Sequence, residues 1–270
     1  MTDRSPILIS IPHGGFIIPP EVRDMVNLGM RDVILDGDTL ATRLFDFRED
    51  VEALVETPVA RAIIDVNRSP DDRPPENVDG VVKKLTTSGI PIYREGRFPD
   101  EDLIEILLDR YYFPYHEELE NVQERGEIRL CLDCHTMLPI SPCISREPGL
   151  QRPIVCLSNG GDERGRSQDD GGTTCPPEWI ISMARSFQDH FDDYGEVRIN
   201  DPFKGGFISR YHHDRKRIPW IQIEINRGLY MEDPLDLKHL QVSGEKIEEL
   251  RGRISSAIEQ FCSGEDFNHS

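Results

Sequence analysis

The sequence predicts an α/β protein, a sheet with helices on both faces, and three observations carry that prediction. Short apolar, β-rich runs alternate with longer stretches of helical period along the 270 residues. Several of the short runs are apolar at every position, as strands are when helices cover both sides of a sheet. Hydrophobic residues make up 37% of the chain and charged residues 30%, the balance of a soluble protein able to bury a large core. No internal repeat or break in composition divides it, so a single domain over 1–270 is expected.

In chain order, strands are expected at 7–11, 60–66, 128–134, 154–157, 196–199 and 220–225. Three helices stand out. In 177–194, Trp179, Met183, Phe187 and Phe191 recur every four residues. In 245–262, Ile247, Leu250, Ile254, Ile258 and Phe261 form one stripe that ends before Gly264. The segment 100–124 opens on Asp100 as a cap and is interrupted near Pro114. A shorter helix is expected over 40–47. Two long loops remain: 67–97, rich in Pro, Asp and Gly, and 158–177, almost without apolar residues. A plain linker is the first expectation for these loops and a lid over a site is the other.

Charge narrows the partners. Fifty acidic against 31 basic residues give a net charge of -19, which argues against nucleic acid and against an anionic membrane surface. No stretch approaches the roughly 20 apolar residues of a spanning helix, and the first residues carry no export signal. The six cysteines are spread thinly with no disulfide pattern, so a cytoplasmic protein is expected. Cys131 and Cys134 lie along one strand, which turns their thiols to opposite faces. No nucleophile elbow, phosphate loop or dinucleotide fingerprint is present.

The informative residues end the strands. The first runs into Pro12-His13-Gly14-Gly15, the second into Asp65-Val66-Asn67-Arg68, the third into Asp133-Cys134-His135-Thr136, the last into Glu224-Ile225-Asn226-Arg227. Ligands bind at the carboxyl edge of open α/β sheets, so these groups are expected in one pocket. Two imidazoles with carboxylates and arginines suit a metal-assisted hydrolase of an anionic substrate. His13 and His135 are candidate metal ligands, the other reading being hydrogen-bonded histidines that end strands. A carboxylate should complete a catalytic zinc set, and Asp36 and Asp38 are the nearest downstream, unless they cap the helix at 40–47. Glu224, in an otherwise apolar strand, is either paired, for instance with Arg227, or poised as a general acid and base. Arg68 can hold a carboxylate through two parallel hydrogen bonds. Arg210 could grip a second one, although the basic stretch around His212-His213 reads as a solvated loop. His116, His190, His239 and His269 show no evident partner.

Taken in order, Ser10-Ile11-Pro12-His13-Gly14-Gly15, Asp36-Gly37-Asp38 and Ala60-Arg61-Ala62-Ile63-Ile64-Asp65-Val66-Asn67-Arg68 resemble the N-formylglutamate amidohydrolase family. Asp133-Cys134-His135-Thr136-Met137, Asn200-Asp201-Pro202-Phe203-Lys204-Gly205-Gly206-Phe207 and Gln222-Ile223-Glu224-Ile225-Asn226 continue the resemblance. It spans most of the chain, from near His13 to near Tyr230. The family is similar in turn to the zinc carboxypeptidase and aspartoacylase group. The resemblance implies a phosphorylase/hydrolase-like three-layer fold with a central mixed sheet. It implies one Zn2+ ion and hydrolysis of N-formyl-L-glutamate, a small anionic N-acyl amino acid, to formate and L-glutamate. His13, His135 and Asp38 match the metal ligands, with Asp36 as the alternative because Asp36-Gly37-Asp38-Thr39 departs from the common Asp-Thr-Asp-Trp. Glu224 matches the catalytic glutamate, while Asn67 and Arg68 match a motif that grips a substrate carboxylate. Arg61 would then serve the oxyanion and Arg210 the second carboxylate. Other readings are hydrolysis of another N-acyl amino acid or small peptide, and a non-catalytic binder of an acidic metabolite.

Overall fold

Among the residues described, six strands form the middle layer: β1 (Ser5–Ile11), β2 (Val51–Glu56), β3 (Leu130–Met137), β4 (Val155–Ser158), β5 (Val197–Ile199) and β6 (Trp220–Asn226). They lie in the order β2-β1-β3-β6-β4-β5. The first four in that order run parallel, while β4 is antiparallel to β6 and carries β5 parallel to itself, so the sheet is mixed. The computed structural model describes residues 4–142, 145, 147–168, 172–232, 243–264 and 267. The readings made on Cys143, His239 and His269 fall outside these residues.

Successive side chains of a strand point to opposite faces, and that period of two sorts the sheet. Ile7, Ile9 and Ile11 of β1, Leu130, Leu132 and Cys134 of β3, and Ile221, Ile223 and Ile225 of β6 share one core. Against it pack α2 (Ala41–Leu44), α5 (Pro177–Phe191) and α7 (Gly244–Cys262), each through its buried apolar stripe. The other face buries Leu8, Cys131 and Trp220 under α1 (Met30–Asp36), α3 (Glu101–Leu107), α4 (Phe113–Arg125) and α6 (Phe207–Lys216). Cys131 and Cys134 thus lie in different cores, as their spacing requires. The second face also carries polar residues at alternate positions: Ser10, Asp133, His135, Gln222, Glu224 and Asn226, all buried.

Helix α3 starts where Asp100 accepts a hydrogen bond from Leu103 N, 3.0 Å. The interruption expected near Pro114 is a π-helical turn, Leu108–Tyr112, directly before α4. Proline has no N–H to donate to the preceding turn, so the widened turn absorbs the missing bond.

Three expectations are corrected. The segment 60–66 is a buried turn rather than a strand: Ile63 N and Ile64 N both donate to Ala60 O, at 2.9 and 3.2 Å. A buried turn and a buried strand share one apolar signature, so composition could not separate them. The strand lies upstream, in β2, whose exposed Glu52 and Glu56 suit an edge position and disguised it. The basic stretch at 207–216 is helix α6, with His212 fully buried, rather than a solvated loop. The segment 67–97 is no blank linker either, because it buries Val81, Val82 and Lys83 against the second face.

Candidate active site

Parallel strands deliver their carboxyl ends to one edge, and there β1, β3 and β6 bring His13, His135 and Glu224 to the rim of a cavity of about 320 Å³. His13 follows β1 in a turn that only a small residue permits: a Cβ on Gly15 would stand 2.3 Å from the backbone of Pro58. Asp38 arrives from the turn between α1 and α2, tied down by its own N–H, which donates to His13 O at 2.8 Å.

The two imidazoles turn the same nitrogen toward Asp38. Asp38 Oδ2 lies 3.5 Å from His13 Nδ1 and 3.0 Å from His135 Nδ1, and one donor atom from each residue lies within 4.8 Å of the others. All three side chains are buried. Their far nitrogens are equally well held: His13 Nε2 meets Asp65 Oδ1 at 2.8 Å and His135 Nε2 meets Asp133 Oδ2 at 3.0 Å. Carboxylates behind metal-ligating histidines set the tautomer and ring orientation, so Asp65 and Asp133 fit that task. Burial opposes ionisation of Asp38, yet its bonds to His13 and His135 hold it well below the usual carboxylate range. Burial likewise opposes charge on His135, but Asp133 and Asp38 hold its imidazole well above the ordinary value.

Glu224 lines the same cavity, and its Oε1 accepts from Gln222 Nε2 at 3.0 Å. Burial pushes its carboxyl up to about 7, against the lowering influence of His135. The pairing with Arg227 expected from sequence does not form. Arg227 lines the same cavity but is turned to other partners, donating to Thr136 Oγ1 at 3.0 Å, to Leu35 O at 3.2 Å and to Asp38 Oδ1 at 3.2 Å.

Asp36, the alternative third ligand, is engaged elsewhere. It pairs with the buried Lys83 Nζ at 3.2 Å and accepts from Thr87 N at 2.6 Å. Arg61 lines the cavity while its Nε donates to Asp65 Oδ2 at 3.1 Å. Arg68 lines it too, donating to Asp79 Oδ2 at 2.8 Å. Asn67 lines it as well: its Oδ1 accepts from Ile208 N at 2.8 Å, and its Nδ2 lies 3.3 Å from His135 Nε2. That contact needs Gly206, where a Cβ would stand 2.3 Å from Asn67 Nδ2. Arg210 sits exposed on α6, outside the cavity lining. No described residue of 159–177 lines the cavity either.

Sequence reasoning expected Asp65 and Asp133 in the pocket but gave neither a role, although both stood beside the histidines and arginines it selected. It also passed over Arg152, which lines the cavity next to Glu224 and Phe203. Arg152 precedes a strand instead of following one, and that strand, β4, runs antiparallel to its neighbour β6. The amino end of β4 therefore lies at the carboxyl edge of its neighbour.

The sequence profile described as N-formylglutamate amidohydrolase matches residues 5–231. A Pseudomonas putida protein named N-formylglutamate deformylase is 28% identical over 238 residues, covering 85% of this chain and 83% of its own length. A protein of the same name from Pseudomonas aeruginosa is 26% identical, covering 85% of this chain and 84% of its own. The crystal structure of an N-formylglutamate amidohydrolase from Ralstonia eutropha JMP134 matches with TM-score 0.71 at 22% identity, covering 96% of this chain and 95% of that one. An Agrobacterium tumefaciens gene product, Atu2144, matches with TM-score 0.60 at 18% identity, covering 94% and 90%. The structural likenesses carry the three-layer fold, and the profile carries the family: this chain belongs to the N-formylglutamate amidohydrolases, hydrolases of an amide bond.

Proposed function

We propose that this protein removes the formyl group of N-formyl-L-glutamate, releasing formate and L-glutamate, with one zinc ion as cofactor and the chain working as a single domain. The observation that carries the proposal is convergence: His13, Asp38 and His135 present donor atoms within 4.8 Å of one another on the wall of the cavity that also holds Glu224. The names of the Pseudomonas relatives support the choice of substrate.

The donor set suits zinc, which binds imidazole nitrogen and carboxylate oxygen and keeps one position open beside three protein ligands in catalytic sites. The carboxylate's spacing supports it as well, because donors at 2.0–2.2 Å from a tetrahedral ion stand roughly 3.3 Å apart and Asp38 Oδ2 lies 3.5 and 3.0 Å from the two imidazole nitrogens. Held there, the ion supplies Lewis acidity, making a water acidic enough to lose a proton near neutral pH and polarising the amide carbonyl.

The chain's own groups do the rest. Glu224 takes the proton of the attacking water as its oxygen joins the formyl carbon, then delivers it to the nitrogen as the C–N bond breaks. Arg61 donates to the oxyanion that develops on the formyl oxygen. Arg68 grips the α-carboxylate through its planar fork, exchanging its bond to Asp79 for the substrate. Asn67 holds the wall between Arg68 and α6 rather than reaching the ligand, since both ends of its amide are engaged. The described cysteines are free thiols, which supports a reducing compartment such as the cytoplasm.

The test is the purified protein assayed on formyl-, acetyl- and peptidyl-glutamate and -aspartate, with elemental analysis alongside. One zinc per chain and release of formate from N-formylglutamate are expected. Glu224→Gln should lose about 10³-fold in kcat, the scale of general acid–base catalysis, while keeping its zinc. Near-normal turnover in that variant would overturn the role of Glu224. A metal-free wild type, inert on every acyl-amino acid, would identify a binder instead of an enzyme.

A further inference from the structure

Among the described residues five cationic side chains line the cavity, and three of them are held by carboxylates. Arg61 is held by Asp65, Arg68 by Asp79, and Arg227 by Asp38 and backbone carbonyls. Lys204 is exposed and reaches Gln168 Oε1 at 3.3 Å. Arg152 differs. Its Nε is buried with no hydrogen-bond partner, and no carboxylate lies within ion-pair distance of it among the described residues. A single long bond, Nη1 to Leu138 O at 3.4 Å, is its one direct polar contact there. A half-buried guanidinium whose Nε is fully shielded, with only the more distant Glu224 to balance its charge, is costly unless a ligand supplies a closer partner.

The rest of the residue is held as a binding group should be. Its backbone N–H donates to Pro139 O at 2.9 Å and its carbonyl accepts from Asn226 Nδ2 at 3.4 Å. The guanidinium carbon lies 4.8 Å from the centre of the Phe203 ring, which fixes the plane of the fork without using its N–H groups. Antiparallel pairing of β4 with β6 brings it to the edge that bears Glu224, with Cys156 opposite Glu224 in the register. Arg68 enters the cavity from the turn after 60–66, on the β1 side of the sheet, so the two arginines approach from different elements.

We propose that Arg152 is a specificity-determining residue that binds the side-chain carboxylate of a dicarboxylic substrate, while Arg68 takes the α-carboxylate. This rests on the deformylase reading above and replaces Arg210 in the role suggested by sequence. Arg152→Met keeps an apolar stem against Phe203 and removes the fork. Steady-state rates are compared on N-formyl-L-glutamate and on N-formyl-L-glutamine, its isostere with an uncharged side chain.

Wild type should prefer the glutamate substrate by about 100-fold in kcat/KM, the scale of a charge-assisted bidentate contact. The variant should lose most of that preference, chiefly through KM on the glutamate substrate. Equal losses on both substrates, or a fall confined to kcat, would mean that Arg152 acts through Glu224 or the fold, and the proposal would fail with deformylation intact. Calorimetry with L-glutamate and L-glutamine reads the same contact without turnover. If wild type cleaves neither formyl compound but binds glutamate more tightly than glutamine, and the variant does not, the deformylase reading falls and Arg152 stands. Absence of that preference in wild type, or its survival in the variant, overturns Arg152.

Discussion

At the scale of single residues, the site rests on carboxylates that differ in what lies behind them. Asp36 and Asp38 are two residues apart, and their local sequence does not tell them apart. Lys83, brought from 67–97, neutralises Asp36, whereas Asp38 faces two imidazoles. The meeting of the histidines was legible, because each stands at the carboxyl end of an apolar strand of one sheet. Their backing was not: Asp133 precedes His135 by two positions and so shares its face of β3, but its contact with the far ring nitrogen depends on the rotamers. Asp133→Asn preserves the shape and removes the charge. It should weaken retention of the metal by about 10- to 100-fold, the usual cost of losing such a partner. Competition with a chromophoric chelator measures this directly, and unchanged affinity would remove Asp133 from the metal centre.

At the scale of elements, α4 and α6 meet through two histidines that the sequence showed only as separate, partnerless rings. His116 Nε2 lies 3.0 Å from Val66 O, so it must donate there, and its Nδ1 accepts from His212 Nε2 at 2.9 Å. His212 Nδ1 is then a bare lone pair with no partner. A proton added there would be buried without an acceptor, beside His116 and within the field of Arg215 and Lys216. Burial pushes His116 down to about 4 and His212 down to about 3. Below pH 6.5 the unfolded chain takes up these protons and the native chain does not. The pair's contribution to stability is therefore complete above pH 6.5 and is lost as the pH falls toward 4, by about 3 kcal/mol per ring. Glu224, raised by burial, opposes this slope over part of the window. The measurement is the difference between wild type and His212→Phe in urea midpoint from pH 7.5 to 5: the variant should lose less stability on acidification. Parallel curves would show that the pair does not titrate in this way. Helices α5 and α7 were legible almost to the residue, since each presents one apolar stripe to one core. Helix α6 was not, because its sequence is basic and polar and its burial comes from β6 and β3, distant along the chain.

At the scale of the molecule, a net charge of -19 surrounds a cavity lined by four arginines and a lysine among the described residues. The arginines act at contact distance, while the acidic surface acts at long range and repels a dianion on approach. The screening length falls from about 30 Å at 0.01 M salt to about 8 Å at 0.15 M. The kcat/KM for N-formylglutamate should therefore rise with salt over that range, and more than that of the singly charged N-formylglutamine. A fall would show that the cavity cations govern approach as well as binding. The sequence by itself determined the class of fold, both cores of the sheet and the two histidines, because period, composition and strand ends are local properties of the chain. Tertiary structure alone decided that Asp38 rather than Asp36 faces the imidazoles, that His116 finds His212, and that Arg152 reaches the site from the near end of an antiparallel strand. Each of these depends on the direction and packing of segments distant along the chain, which one-dimensional pattern does not contain.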